Sequence, residues 1–293
     1  MGNQKSFFFI VNPVAGKAAE RKLQEKLQKA LADNDSLVET VFSEYHQHAI
    51  GLIGGHKFSH GEVAVSFGGD GTFNEVASGL VDTGIPIAIL PLGSGNGLAR
   101  SLKIKKNSSS MIDYLLNAKP VDIDGGKFLE KYFFCASGVG FDAHVAAAFN
   151  EKKKRGLAGY IVNAIRTYIN YTPVEVDLLV DESPITGRFF LITFSNAPQY
   201  GNNAWIAPDA DLKDGLIDVT LIKPFPWILA PLLVLALFGR FIHKLPWVKT
   251  VKAKKIEIKS VTSSHFHYDG ESVKMTWPVV IEIVPKAATV LIL

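Results

Sequence analysis

The chain has 293 residues, 47% of them hydrophobic and 20% charged, with a net charge of +3. That composition excludes a disordered chain, and the length suffices for one large or two ordinary domains of roughly 100–200 residues each. A single cysteine, Cys135, excludes an internal disulfide framework, and so mild a charge gives no reason to expect nucleic acid.

No secretory leader is expected from residues 1–6, which lack a long apolar core, although Met1-Gly2-Asn3-Gln4-Lys5-Ser6 matches the N-myristoylation pattern. Residues 7–11 are a short apolar run ending in Asn12-Pro13, the mark of a buried strand giving way to a turn. Within 18–32, Leu23, Leu27 and Leu31 recur at helical spacing. Further strands are expected over 39–42, 63–67 and 85–90, with helices over 45–53 and 73–80. This alternation predicts a Rossmann-like α/β domain with a mostly parallel sheet. After Val121 the texture changes. Short β-rich runs at 131–136, 174–180, 188–195, 217–222, 254–258 and 279–284, separated by Gly, Pro and Asp, predict an antiparallel β-sandwich. Helical inserts are expected near 142–168 and 227–241. The domains expected are 1–122 and 123–285, two-domain α+β overall, with 286–293 a candidate to return to the first.

The most lipid-like stretch, residues 225–238, falls short of the roughly 18 apolar residues a spanning helix needs and holds Pro226 and Pro231. It is expected as a buried or interfacial helix. Basic islands at 103–106, 152–155 and 249–259 read singly as solvated surface; together, beside apolar segments, they suit an anionic membrane.

Gly68-Gly69-Asp70-Gly71-Thr72 follows a strand and opens a helix. The glycines are expected to turn with positive φ and bring N–H groups against an anion, with Thr72 capping the helix. Asp70 is placed to act on a metal-bound phosphate or an attacking hydroxyl. A tight structural turn with an ordinary Asp is the lesser reading, because the strand–turn–helix context favours phosphate. Two more Gly-containing turns follow strands: Asn12-Pro13-Val14-Ala15-Gly16-Lys17 and Pro91-Leu92-Gly93-Ser94-Gly95-Asn96-Gly97. A parallel sheet puts all three at its carboxyl edge, where such folds bind ligands. His265-Phe266-His267 could offer two imidazoles to a metal, but strand surface is the reading preferred.

These turns, with Asn74-Glu75, Val121-Asp122, Gly138-Val139-Gly140-Phe141-Asp142-Ala143, Asp214-Gly215 and Asp269-Gly270-Glu271, resemble the diacylglycerol-kinase catalytic superfamily. That superfamily includes bacterial soluble lipid kinases, sphingosine kinases and, more distantly, NAD kinases. The resemblance implies an NAD-kinase-like sheet in the first domain and a lipid-binding second domain. It implies ATP and Mg²⁺, with Asn12, Gly16, Lys17, Ser43, Gly68, Gly69, Asp70, Gly71, Thr72, Asn74 and Ser94 around the nucleotide. It implies Mg²⁺ held by Asp211, Asp214 and Leu216. Glu271 would be the general base, with Asp122 supporting it and Asp70 also catalytic. Asp142 would face an amino-alcohol head group. At position 97 bacterial members usually carry a carboxylate, whereas Gly97 stands here.

The function expected is an ATP-dependent lipid kinase passing the γ-phosphate to the hydroxyl of diacylglycerol or a related lipid. A sphingoid long-chain-base kinase and an NAD kinase are the alternatives. The partners expected are the lipid substrate and a membrane surface touched peripherally from the cytoplasm, without nucleic acid; a homodimer is left open.

Overall fold

Apolar runs bounded by turn residues become strands in both halves of the chain. The computed structural model describes residues 4–13, 18–93, 95–152, 168 and 171–293. They form two units, Met1–Ile123 with Lys286–Leu293, and Asp124–Pro285.

In the first unit β1 (Ser6–Val11), β2 (Leu37–Phe42), β3 (Val63–Gly68) and β4 (Pro86–Pro91) form a parallel sheet in the order β2-β1-β3-β4. Thr289 and Val290 extend it beyond β4, pairing in parallel with Pro86 and Ile87. The helices are α1 (Ala18–Ala32), α2 (His48–Gly55), α3 (Asp70–Gly79), α4 (Gly97–Ser101) and α5 (Ser108–Asn117). Strands β1, β3 and β4 are buried almost throughout, as parallel strands under helices must be, while the edge strand β2 is largely open. Leu27 and Leu31, one turn apart on α1, bury against Phe7, Phe9, Phe67 and Leu115. Burial of a side chain of this size stabilises by about 1.5–3 kcal/mol. Tyr114 of α5 is equally buried. Its hydroxyl donates to the Leu291 carbonyl at 2.9 Å and accepts the Ile89 N–H at 3.1 Å, so its polar atom is satisfied.

The second unit begins inside β5 (Lys119–Phe128) and continues through β6 (Lys131–Phe133), β7 (Ala136–Gly140), α6 (Phe141–Lys152), β8 (Val174–Val180), β9 (Ser183–Phe189), β10 (Leu191–Ser195) and β11 (Ile217–Ile222). It ends with α7 (Ala230–Phe238), β12 (Val248–Ala253), β13 (Lys255–Val261), β14 (His265–Tyr268), β15 (Glu271–Lys274) and most of β16 (Val279–Ile292). One antiparallel sheet has the order β12-β11-β10-β7-β14-β15. In the other, β13 lies between β16 and β8, with β9 outside β8. Leu178, Ile256 and Ile281 from one sheet share a core with Val139, Ile192 and Phe266 from the other, which makes the sandwich.

Two expected strands come out divided. Run 131–136 splits into β6 and β7 because the N–H groups of Phe134, Cys135 and Ala136 turn to the Asp269 carboxylate. Run 188–195 divides at Phe190, whose N–H crosses to the Ile222 carbonyl at 2.7 Å. In the insert near 227–241, a 3₁₀ turn over Trp227–Leu229 leads into α7, and Arg240 at φ 62° ends it. Helix α7 buries Leu233 and Ala236 against Phe190, Ile222 and Leu245, and leaves Val234, Leu235 and Phe238 exposed beside Trp227 and Ile228. Among the described residues no helix is long and apolar enough to cross a membrane.

Candidate active site

At the carboxyl edge of the first unit's sheet, β1 and β3 end side by side. Asn12 donates its N–H to the Phe67 carbonyl at 3.1 Å and its Nδ2–H to Thr72 Oγ1 at 3.3 Å. Ser43, directly after β2, is buried, with its N–H on the Val11 carbonyl at 2.9 Å. Gly69 caps α3 with extended backbone (φ −98°, ψ −170°) and has no side chain to satisfy the first-turn N–H groups. An uncapped helix start of this kind offers donors and a positive dipole end to an anion, so the turn fits a polyphosphate.

Two expectations for this turn are corrected. Thr72 is not the cap: the helix starts at Asp70, which puts Thr72 in the first turn, buried beneath Gly68. Nor do Gly68, Gly69 or Gly71 take positive φ. Crowding is the reason for glycine instead, since a Cβ on Gly68 would lie 2.6 Å from Thr72 Cβ.

The second turn packs on the first. A Cβ on Gly93 would lie 3.4 Å from Gly69 Cα, and the Leu92 N–H meets the Gly68 carbonyl at 2.8 Å. Asp70 Oδ2 accepts the Gly97 N–H at 3.0 Å. Gly97, which has no side chain to offer a second carboxylate, thus contributes its backbone N–H to this one. Arg100 and Lys106 donate to the carbonyls of Gly95 and Gly93 at 2.9 and 2.6 Å. Asn74 accepts the Ser78 hydroxyl at 3.4 Å. Glu75 accepts the N–H groups of Gln47 and Ala49, capping α2 from outside. Gly16, Lys17 and Ser94 lie outside the described residues. Asp122 is exposed at the end of the first unit and accepts the Thr289 hydroxyl at 2.9 Å.

In the second unit Glu271 opens β15 after a two-residue hairpin. Asp269 and Gly270 both take positive φ, 45° and 87°, as a tight hairpin between opposed Tyr268 and Glu271 requires. The Asp269 carboxylate accepts N–H groups from Phe134 and Cys135 at 2.8 Å and Ala136 at 3.1 Å, fastening the hairpin to β7. Buried Tyr268 donates its hydroxyl to Glu271 Oε2 at 3.0 Å and so orients that half-buried carboxylate.

Asp142, in the first turn of α6, is buried. Its Oδ1 accepts the Ala143 N–H at 2.8 Å. Its Oδ2 gathers Thr193 Oγ1 at 3.2 Å, Tyr200 Oη at 2.9 Å and His267 Nε2 at 2.9 Å. A Cβ on Gly138 would strike Ile192 O at 2.6 Å and Asp142 Oδ2 at 2.9 Å, which accounts for that glycine. Burial first, and the Asp142 charge second, push the nearby Tyr171 phenol above its ordinary range. His267 is thus corrected from strand surface to interior; only His265, its ring 4.7 Å from that of His144, is partly open.

Both halves of the chain match known families. Residues 6–128 match the diacylglycerol kinase catalytic domain, and residues 136–292 the YegS C-terminal NAD kinase β-sandwich-like domain. The chain belongs to the diacylglycerol kinase and YegS family of lipid kinases. A Pseudomonas putida protein named "Probable lipid kinase YegS-like" is 31% identical over 71% of this chain and 69% of its own length. The "Diacylglycerol kinase" of Mycobacterium tuberculosis is 26% identical over 96% of this chain and 93% of its own. A crystal structure of a diacylglycerol kinase from Bacillus anthracis superposes with a TM-score of 0.73 at 17% identity, covering 100% of this chain and 98% of that one, a likeness of fold.

The loop of this lipid kinase expected to hold Mg²⁺ is differently occupied. Asp211 Oδ1 accepts the Lys213 N–H, and Asp214 Oδ1 accepts the Leu216 N–H at 3.0 Å. Asp214 Oδ2 meets Lys252 Nζ at 2.7 Å, and the same ammonium reaches Asp218 Oδ2 at 2.8 Å. Burial pushes the Asp218 carboxyl up, against the pull of Lys252; for Lys252, desolvation opposes the charge, but Asp214 and Asp218 hold the ammonium above the ordinary lysine range. As folded, the loop fits an ammonium rather than a divalent ion. Among the described residues no three His, Cys, Asp or Glu side chains converge as metal ligands.

Four residues with roles here escaped sequence reasoning. Asp124, two positions past Asp122 and buried, accepts the Gly215 N–H at 2.8 Å; the Asp-x-Asp alternation of a strand was its signal. Tyr268, Tyr200 and Lys252 had none, because their partners are set by strand pairing.

Proposed function

We propose that this lipid kinase transfers the γ-phosphate of ATP, entering as its Mg²⁺ complex, to the free hydroxyl of a neutral glycerolipid such as diacylglycerol. The observation that carries the reading is the Glu271 carboxylate, aimed by Tyr268 on a hairpin that Asp269 fastens. A base held in place before substrate arrives is what phosphoryl transfer to an alcohol needs, since little else in the reaction is covalent work for the protein. Glu271 takes the hydroxyl proton as the lipid oxygen bonds to phosphorus and the bond to the ADP oxygen breaks. Bound at the Gly68–Thr72 turn, ATP would supply the phosphoryl group. The uncapped start of α3 and the backbone of the packed second turn support its phosphates, and Asp70 holds the two turns together.

A sphingoid base is the second reading, since Asp142 could pair with an ammonium. The donors already gathered on its Oδ2 speak against it. An NAD kinase is disfavoured by relatives named as lipid kinases and by an apolar helix that a nucleotide acceptor does not need.

We infer as well that α7 meets an anionic membrane surface. Trp227 is 75% exposed and Leu235 61%, and exposed Lys223, Arg240 and Lys244 flank them in the chain. An apolar face with basic neighbours is the pattern of interfacial helices.

Incubation with labelled ATP, Mg²⁺ and a panel of diacylglycerol, sphinganine, phosphatidylglycerol and NAD tests the first reading. Label on diacylglycerol is expected. Label on sphinganine alone would move the reading to the sphingoid base, and label on none would overturn it. Glu271→Gln is expected to lower turnover by about 10²–10⁴-fold with nucleotide affinity unchanged; full activity would remove Glu271 as the base.

A further inference from the structure

Lys252 sits on β12 directly opposite Asp218 of β11, so strand register alone delivers its side chain to that carboxylate. Its Nζ then finds three oxygens from three points of the chain: Asp218 Oδ2 at 2.8 Å, Asp214 Oδ2 at 2.7 Å and the Asp209 carbonyl at 3.4 Å. Two carboxylates and a main-chain carbonyl around one positive centre is the donor set of a hard cation such as Mg²⁺ or Ca²⁺. The Asp218 side chain is only 2% exposed, and a carboxylate buried to that degree needs a compensating charge. The same loop is pinned a second time by Asp124, which accepts the Gly215 N–H while its own N–H donates to the Leu212 carbonyl at 2.7 Å.

We propose that Lys252 serves as a built-in cation for the loop spanning 209–218, replacing a bound divalent ion. The loop then keeps its shape whether or not magnesium is present, and the protein's need for divalent ions is confined to its nucleotide. The divalent ion is excluded by charge. An ammonium 2.7 Å from Asp214 occupies the oxygen a metal would require and repels a second cation at that distance. Covalent attachment also spares the ammonium the loss of translational freedom that a free ion pays on binding.

Titration of nucleotide-free protein with Mn²⁺, followed by electron paramagnetic resonance, tests it. Wild type and Asp214→Asn are expected to bind the same number of ions; one more ion on the wild type than on Asp214→Asn would overturn the proposal. The second arm is Lys252→Met, which vacates the cluster while keeping the stem's packing. Its melting temperature is expected to rise by about 2–4 °C or more on adding Mg²⁺ or Ca²⁺, whereas the wild type stays level between EDTA and Mg²⁺. A Lys252→Met protein indifferent to both ions would show that the cluster is no cation cage and would also overturn it. Should Lys252→Met fail to fold, the Mn²⁺ comparison between wild type and Asp214→Asn still decides.

Discussion

A methyl group on Gly68 would lie 2.6 Å from Thr72 Cβ, and Thr72 is itself buried and bonded to Asn12, so neither side can give way cheaply. Gly68→Ala is expected to cost about 1–3 kcal/mol in stability, with nucleotide affinity about tenfold weaker as the turn is displaced; thermal melts and nucleotide titration would check both. Gly51→Ala, on α2 with open space around the position, is the contrast: it should stabilise by a few tenths to about 1 kcal/mol. The glycines were legible in the sequence, but their reason was not. A Gly-rich turn looks the same whether positive φ or a near neighbour demands it, and here the neighbour is Thr72, four residues on. The pairing of Asp142 with His267, 125 residues apart, was hidden for a different reason. No spacing rule reaches across that distance, so an imidazole on an alternating strand passed for surface.

At the scale of elements, local patterns carried far where local physics decides. The spacing of Leu23, Leu27 and Leu31 marked α1, and the runs that became β8 and β11 stood out because half or wholly buried strands need apolar side chains. Boundaries set from a distance did not show. The break between β6 and β7 is made by Asp269, more than a hundred residues later. Tyr114 illustrates an element held by one atom: its hydroxyl ties α5 to both β4 and the chain's last strand. Tyr114→Phe keeps the ring but strands the Ile89 N–H and removes a donor from Leu291, so a loss of about 1–3 kcal/mol is expected by urea unfolding. No loss would mean that other donors take over.

For the molecule as a whole, the change in texture near residue 121 was readable because parallel strands under helices are apolar on both faces while sandwich strands alternate. What the sequence could not say was which apolar residues face out. Residues 225–238 read as a buried or interfacial helix, and most of α7's large side chains are exposed. If that face meets lipid, Trp227→Ser with Leu235→Ser should weaken binding to phosphatidylglycerol vesicles by about a hundredfold or more, taking about 1.5–3 kcal/mol for each large apolar side chain lost from the interface. Activity on a short-chain, water-soluble acceptor should be unchanged, and the melting temperature with it, because both residues are exposed. Unaltered vesicle binding would discard the membrane face.

The position of residues 286–293 bears on how the chain acquires its structure in time. They complete, beside β4, a sheet whose first strand starts at Ser6. Residues 124–285 form a continuous stretch, but the first unit is completed only by residues 286–293, which are made after that stretch. During that interval β4 offers an unpaired edge beside apolar surface, the kind of edge that recruits other chains. The N-terminal segment, made before the second unit, is therefore completed after it, and the open edge of β4 lasts for that interval.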